Sequence, residues 1–275
     1  MKTRKMKRIL GLLLVLCLAL SGCHNSTNVH SHEYVDTINK AAKDIPGDID
    51  WGVHCYVDDF RYVSDSNPVK SASVIKLFIM EYAFYMESCG KLTMDEKIQG
   101  MTVTELLEKM ITESDNDATN TFIDYFGMPE LNHFIAGNGY KDTKLERKML
   151  DAQAVEQGKE NYTSVNDVLS FLDKLYDNKE KYPYSEMLDI MKRQTRVNKI
   201  QAKIPRKVVI ANKTGELSDV ENDVGIVFTE KGDVAMVFLC SSLSEPGRTR
   251  AFISDSAYLI YKKLIPWNQR YFSFN

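Results

Sequence analysis

Residues 71–80 read SASVIKLFIM, a run of small and apolar side chains broken by one lysine, Lys76, three positions after Ser73. Residues three apart share a helix face, so the amine would lie beside the hydroxyl. In the first turn of such a helix, free N–H groups and the helix dipole favour developing negative charge. A serine in that setting could attack a carbonyl if the lysine served as its base. The structural alternative is a lysine that snorkels out of an amphipathic helix. A second Ser-x-x-Lys, Ser88 to Lys91, contains Gly90 where a helix would stop, and it reads as a C-cap. Two further triplets carry usable chemistry. Ser114-Asp115-Asn116 lies in ITESDNDATN between two helical stretches, and Lys213-Thr214-Gly215 lies in VVIANKTGEL on a strand. Each alone reads as a turn or a solvated strand end. All three in this order are far harder to attribute to chance.

The elements that must position them follow from hydrophobic periodicity. EYVDTINKAAKDI reads as a helix, and WGVHCYV and FRYVSDS as two strands joined at an Asp-Asp turn. From about 71 to 200 the pattern is mostly helical, through TVTELLEKMITES, DATNTFIDYF, SVNDVLSFLDKLYD with Ser164 as its N-cap, and SEMLDIMKRQ. Strands return with KVVIANKTGEL, DVGIVFT and VAMVFLCSS, and RAFISDSAYLIYKKL forms a last helix. The expected fold is an α/β sandwich. Both chain ends (about 33–72 and 205–275) would build an antiparallel sheet with flanking helices, with an all-α lobe (about 73–204) inserted. There is no internal repeat.

With these three motifs the chain resembles the serine β-lactamase and penicillin-binding protein superfamily, most closely its class A β-lactamase branch. The resemblance extends through TVTELLEKMITESDNDATN, QAKIPRKVVIANKTGEL and NDVGIVF into the last helix. It implies Ser73 as the acylated nucleophile. Lys76 would be its base, with a pKa depressed by burial and by the charge of Lys213. Ser114 would relay a proton to the leaving nitrogen, and Asn116 would hold Lys76 and the substrate amide. Lys213 and Thr214 would bind a substrate carboxylate, and Gly215 would let the substrate backbone approach the strand. The backbone N–H groups of Ser73 and Glu216 would form the oxyanion hole. A histidine-based triad is disfavoured, since His24, His30 and His32 fall in a polar leader and only His54 and His133 remain. No cofactor or metal is implied.

One position departs from the family. Class A β-lactamases carry a glutamate two residues after an arginine in a loop between the second and third motifs, where it activates the deacylating water. The matching stretch is TKLERKMLDAQ, and counting from Arg147 places Met149 there. Methionine cannot take a proton. Asp151 could substitute if the loop is displaced, or it could simply pair with Arg147 or cap the next helix. Acylation is therefore expected to be intact and deacylation slow. Besides a β-lactamase, a penicillin-binding peptidase or transpeptidase acting on D-alanyl peptides, or a β-lactam-binding protein without turnover, stays open.

The N-terminus reads as a secretory signal over 1–22, with basic MKTRKMKR followed by apolar ILGLLLVLCLAL. Leu20-Ser21-Gly22-Cys23 resembles a bacterial lipobox, which would make Cys23 a lipidation site and 23–32 a polar tether. The protein is then expected on the outer face of a bacterial cell membrane as a monomer, with a single catalytic domain over 33–275. Removing residues 1–22 takes away five basic residues and no acid, moving the formal charge from −3 to −8. That argues against a nucleic-acid partner. Cys55, Cys89 and Cys240 are widely spaced and suggest neither a metal site nor a disulfide.

Overall fold

Five strands from the two ends of the chain form one antiparallel sheet in the computed structural model, which describes residues 32–264. The secretory signal, Cys23 and the tether to residue 31 lie outside the described residues. The strands are β1 (Asp48–Cys55), β2 (Phe60–Val63), β3 (Val209–Leu217), β4 (Val220–Phe228) and β5 (Val234–Ser241), in the spatial order β2-β1-β5-β4-β3. β3 is an edge strand, paired to β4 from Val209 opposite Phe228 to Leu217 opposite Val220. Every residue of β5 is buried, because both faces of the sheet are covered.

The helices, in chain order, are α1 (Tyr34–Ala42), α2 (Lys76–Ser88), α3 (Val103–Glu108), α4 (Asn116–Phe126), α5 (Met128–Gly137), α6 (Ala152–Glu156), α7 (Val165–Asp177), α8 (Tyr184–Lys192) and α9 (Pro246–Leu264). One face of the sheet meets α1 and α9 over a core that includes Trp51, Phe238 and Ile260. The other face meets the helical lobe, whose central helix α2 buries every residue from Lys76 to Phe84. A helix apolar on all sides belongs inside a domain. Helix α7 packs closely on the sheet at Gly52, where an added Cβ would stand 2.5 Å from Val165 Cγ1. Glu81, buried on α2, is held by Lys174 Nζ at 2.5 Å and by the Tyr140 hydroxyl at 3.0 Å, which ties α2 to its neighbours.

Local signals largely decide the helix ends. Thr102 and Glu105 form a reciprocal capping box at α3. Ser164 caps α7 by accepting from Asp167 N, and Gly90 lies just past α2 at φ +67°. The expected helix over 102–114 is instead divided. α3 stops at Glu108, a π turn spans Lys109–Glu113, and Ser114 adopts a left-handed conformation at φ +61°. Helix α5 falls within the stretch expected to be mostly helical, and it buries Leu131 and Ile135, four apart on one face. Cys55 and Cys240 are buried free thiols and Cys89 is an exposed one.

Candidate active site

Ser73 lies in a 3₁₀ turn, Ala72–Ile75, that runs directly into α2. The turn is gripped from several sides. Ser71 N donates to Asn161 O at 2.8 Å, and Asn222 Nδ2 donates to the carbonyls of Lys70 and Ser71 at 2.9 and 3.1 Å. Ala72 is held at φ +45°, a conformation an alanine rarely adopts unless its surroundings impose it. β3 lies hard against this turn at Gly215. A Cβ there would come within 2.9 Å of Ser71 O and 3.2 Å of Ser73 N. The Ser73 turn itself thus makes a close approach at Gly215.

Lys76 is fully buried, and its ammonium faces the second motif. Nζ donates to Ser114 O at 2.7 Å and to Asn116 Oδ1 at 2.8 Å, with Ser114 Oγ and Asp115 O each at 3.3 Å. Its four hydrogen-bonded oxygens all belong to the second motif. Those oxygens converge because the π turn and the left-handed Ser114 redirect the chain, after which Asp115 caps α4 by accepting from Ala118 N at 2.7 Å. Backbone irregularity of this kind clusters at functional sites.

The third motif reaches the same point from β3. Lys213, also fully buried, donates from Nζ to Ser114 Oγ at 2.9 Å and to Thr214 O at 2.9 Å. Ser114 Oγ thus stands between two amines. Burial lowers the Lys76 pKa to about 7, against the pull of Asp115 and with the help of Arg196. Burial also takes Lys213 well below the ordinary lysine range, and the charges of Lys76 and Arg196 add to the effect. An amine that is neutral part of the time at neutral pH can accept a proton from a hydroxyl.

Beyond Lys213 the strand meets a group of ions that no motif signals. Lys199 is fully buried and pairs with Glu216 Oε1 at 2.5 Å and Glu221 Oε2 at 2.8 Å, while Arg250 Nη2 meets Glu221 Oε1 at 2.7 Å. Arg196 Nη1 lies 3.7 Å from Glu216 Oε2. Asp223, buried beneath, accepts from Asn212 Nδ2 at 2.8 Å and Ile200 N at 2.9 Å, which fixes the turn carrying Lys199. Burial raises the Asp223 carboxyl to about 6, opposed by Lys199.

The loop after Arg147 closes the other side. Arg147 and Glu160, both buried, pair through Nε at 2.8 Å and Nη2 at 2.7 Å, joining the loop's two ends. Asn161 stitches the same junction, accepting from Glu146 N and Arg147 N and donating to Arg147 O. Met149 is only 8% exposed, and Asn120 of α4 bonds both its N–H (2.8 Å) and its carbonyl (3.1 Å). Asp151 Oδ1 accepts from Ala154 N at 2.9 Å, so it caps α6. Of the readings open for Asp151, the capping one matches this bond, and Arg147 takes Glu160 as partner. Glu160 and Asn161 escaped the sequence reading because no spacing links them to Arg147. Between this loop and β3 lies a cavity of about 480 Å³ lined by Ser73, Asn116, Met149, Asp151 and Glu216 among others. A second, more apolar cavity of about 340 Å³ lies between α1 and α9, on the sheet face away from Ser73.

The model of the β-lactamase enzyme family matches residues 33–264, nearly the whole described chain. This chain belongs to the β-lactamase enzyme family. With that family it falls among the serine hydrolases. A β-lactamase of Bacillus licheniformis is 27% identical over 273 residues, covering 87% of this chain and 89% of that protein. Among solved structures, a β-lactamase from Sphaerobacter thermophilus superposes with a TM-score of 0.77 at 23% identity, covering 86% of this chain and 99% of the other. A protein named PBP-A superposes with a TM-score of 0.75 at 22% identity, covering 84% and 95%. These likenesses confirm the expected fold: a mixed sheet-and-helix enzyme of the β-lactamase type. Within it, Ser73 and Asn116 line the cavity, and hydrogen bonds join Asn116 through Lys76 and Ser114 to Lys213.

Proposed function

We propose that this β-lactamase-family protein is acylated on Ser73 by β-lactams and releases the acyl group slowly. The observation that carries this reading is the Lys76 amine, buried and held 2.8 Å from Asn116 Oδ1, with Ser114 Oγ shared between it and Lys213. When Lys76 loses its proton it keeps two donors against four acceptors, which frees a lone pair to turn towards Ser73 Oγ. The hydroxyl proton passes to Nζ as Oγ bonds to the lactam carbonyl carbon. The backbone N–H groups of Ser73 and Glu216 receive the negative charge that forms on oxygen. As the C–N bond breaks, Ser114 Oγ hands its proton to the leaving nitrogen and is reprotonated from Lys76. Lys213 and Thr214 bind the substrate carboxylate by charge and hydroxyl.

Release of the acyl group needs a water and a base. Met149 offers none, and the Asp151 carboxylate is engaged at α6. The same observation favours a second reading, a penicillin-binding peptidase acting on D-alanyl peptides, for which slow β-lactam release is the ordinary outcome. In either case the protein acts as a monomer, lipid-anchored through Cys23 on the extracytoplasmic face of the membrane. Labelling with a fluorescent penicillin tests the core of this proposal. Wild type should be labelled, Ser73→Ala should not, and Lys91→Ala should behave as wild type. Labelling that survives in Ser73→Ala overturns the assignment. Mass spectrometry over time then shows whether the adduct persists.

A further inference from the structure

The cavity between α1 and α9 takes no part in the chemistry at Ser73. The two helices run antiparallel, since Lys263 Nζ near the end of α9 lies 3.5 Å from Glu33 Oε2 just before α1. Between them stays a hole of about 340 Å³, lined by the buried Ile45 and Phe252 and by the small, exposed Ala41 and Ala251. Apolar walls hold water poorly, so such a hole gains from an apolar occupant. Its rim is charged. Asp44 of the α1 side and Asp255 of α9 are both exposed there, Asp255 paired with Lys203, and Arg248 lies 3.9 Å from Glu245.

We propose that residues 265–275, which follow α9 and lie outside the described residues, fold back as a strap whose aromatic side chains fill this hole. The segment reads IPWNQRYFSFN, with four aromatic residues, one arginine and no acid. Pro266 cannot extend α9, and it biases Ile265 towards an extended backbone. Phe252 lies twelve positions before Leu264, about 18 Å back along the helix at its ordinary rise per residue. Eleven extended residues span at most about 36–40 Å, so Tyr271 and Phe272 reach Ala41 and Ala251 with length to spare. Arg270 then meets Asp44 and Asp255 with opposite charge. The tether that leads into α1, HNSTNVHSH, is polar apart from Val29 and offers no such filling. The strap clasps the first helix of the domain against the last.

Tryptophan fluorescence tests the strap directly. The chain has two tryptophans, Trp51 and Trp267, and Trp51 is fully buried, so acrylamide quenching reports on Trp267. Quenching should be weak in the full-length protein and rise several-fold in Ala251→Arg, which puts bulk and charge into the hole at an exposed helix position that tolerates arginine. If that variant does not fold, Ala41→Arg, which blocks the hole from α1, must give the same rise. Truncation after Leu264 should lower the thermal midpoint by about 5 °C, as expected for losing the burial of an aromatic side chain in a domain of this size. Ala251→Arg added to the truncated chain should lower it no further, because both changes remove one contact. Quenching that Ala251→Arg leaves unchanged, or losses of stability that add, overturns the proposal. Shielding of Trp267 that grows with protein concentration places the segment in the groove of a second copy and overturns it too. No outcome depends on acylation of Ser73, so the proposed function stands or falls separately.

Discussion

A lysine that works as a base leaves its titration in the rate. Lys76, fully buried, has a pKa lowered to about 7 by that burial, with Asp115 opposing and Arg196 assisting. At that value about a tenth of the amine is neutral at pH 6, about half at pH 7 and about nine-tenths at pH 8. The second-order acylation constant should therefore rise about tenfold from pH 6 to pH 8 and then level off. A lysine at its ordinary 10.5 would instead give a tenfold gain per unit continuing past pH 9. The groups facing Nζ are Ser114, Asp115 and Asn116 from the second motif, with Lys213 and Arg196 within reach. Asp115→Asn keeps an N-cap for α4 but removes the charge that raises the Lys76 pKa, so the profile should move to lower pH. Stopped-flow acylation with a chromogenic β-lactam measures both curves. A flat profile from pH 6 to 8, or one still climbing at pH 10, would refute Lys76 as the base. The sign for stability is related. The unfolded chain binds more protons between about 7 and 10.5, so this group's penalty is full below pH 7 and is relieved as pH rises through that window.

Other expectations follow from the loop and the N-terminus. Met149→Glu should speed deacylation by about a hundredfold or more while leaving acylation nearly unchanged, since Asn120 already fixes the backbone there; single-turnover kinetics reads both steps. If Asp151→Asn alone stops turnover in the wild-type background, Asp151 is the base, and the assignment of Met149 to the glutamate's place fails. Glu160→Ala leaves the buried Arg147 charge unpaired and should cost about 3 kcal/mol in urea unfolding; an unchanged midpoint would show that the pair does not hold the loop. Cys23→Ser should move the protein from the detergent phase to the aqueous phase or leave the precursor unprocessed, and equal partitioning of both forms would refute the anchor.

The three motifs and the strand-helix-strand order were legible in the residues themselves. Short-range chemistry and hydrophobic periodicity decide a cap at Ser164, a helix stop at Gly90 or a largely apolar α2, and no distant contact is needed to read them. The sheet built from both chain ends followed from the same periodicity. What only the tertiary structure decided lies where the chain meets itself far along the sequence. Lys76 is hydrogen-bonded to Ser114, Asp115 and Asn116, because a π turn and one left-handed residue aim four oxygens at it. Gly215 is required by the turn of Ser73, some 140 residues earlier. Asp151 caps α6, while Arg147 pairs with Glu160 thirteen residues on. The buried Lys199 pairs with the half-buried Glu216 at a spacing nothing announces, since an ion pair depends on where two backbones end up and periodicity records only which face each residue takes.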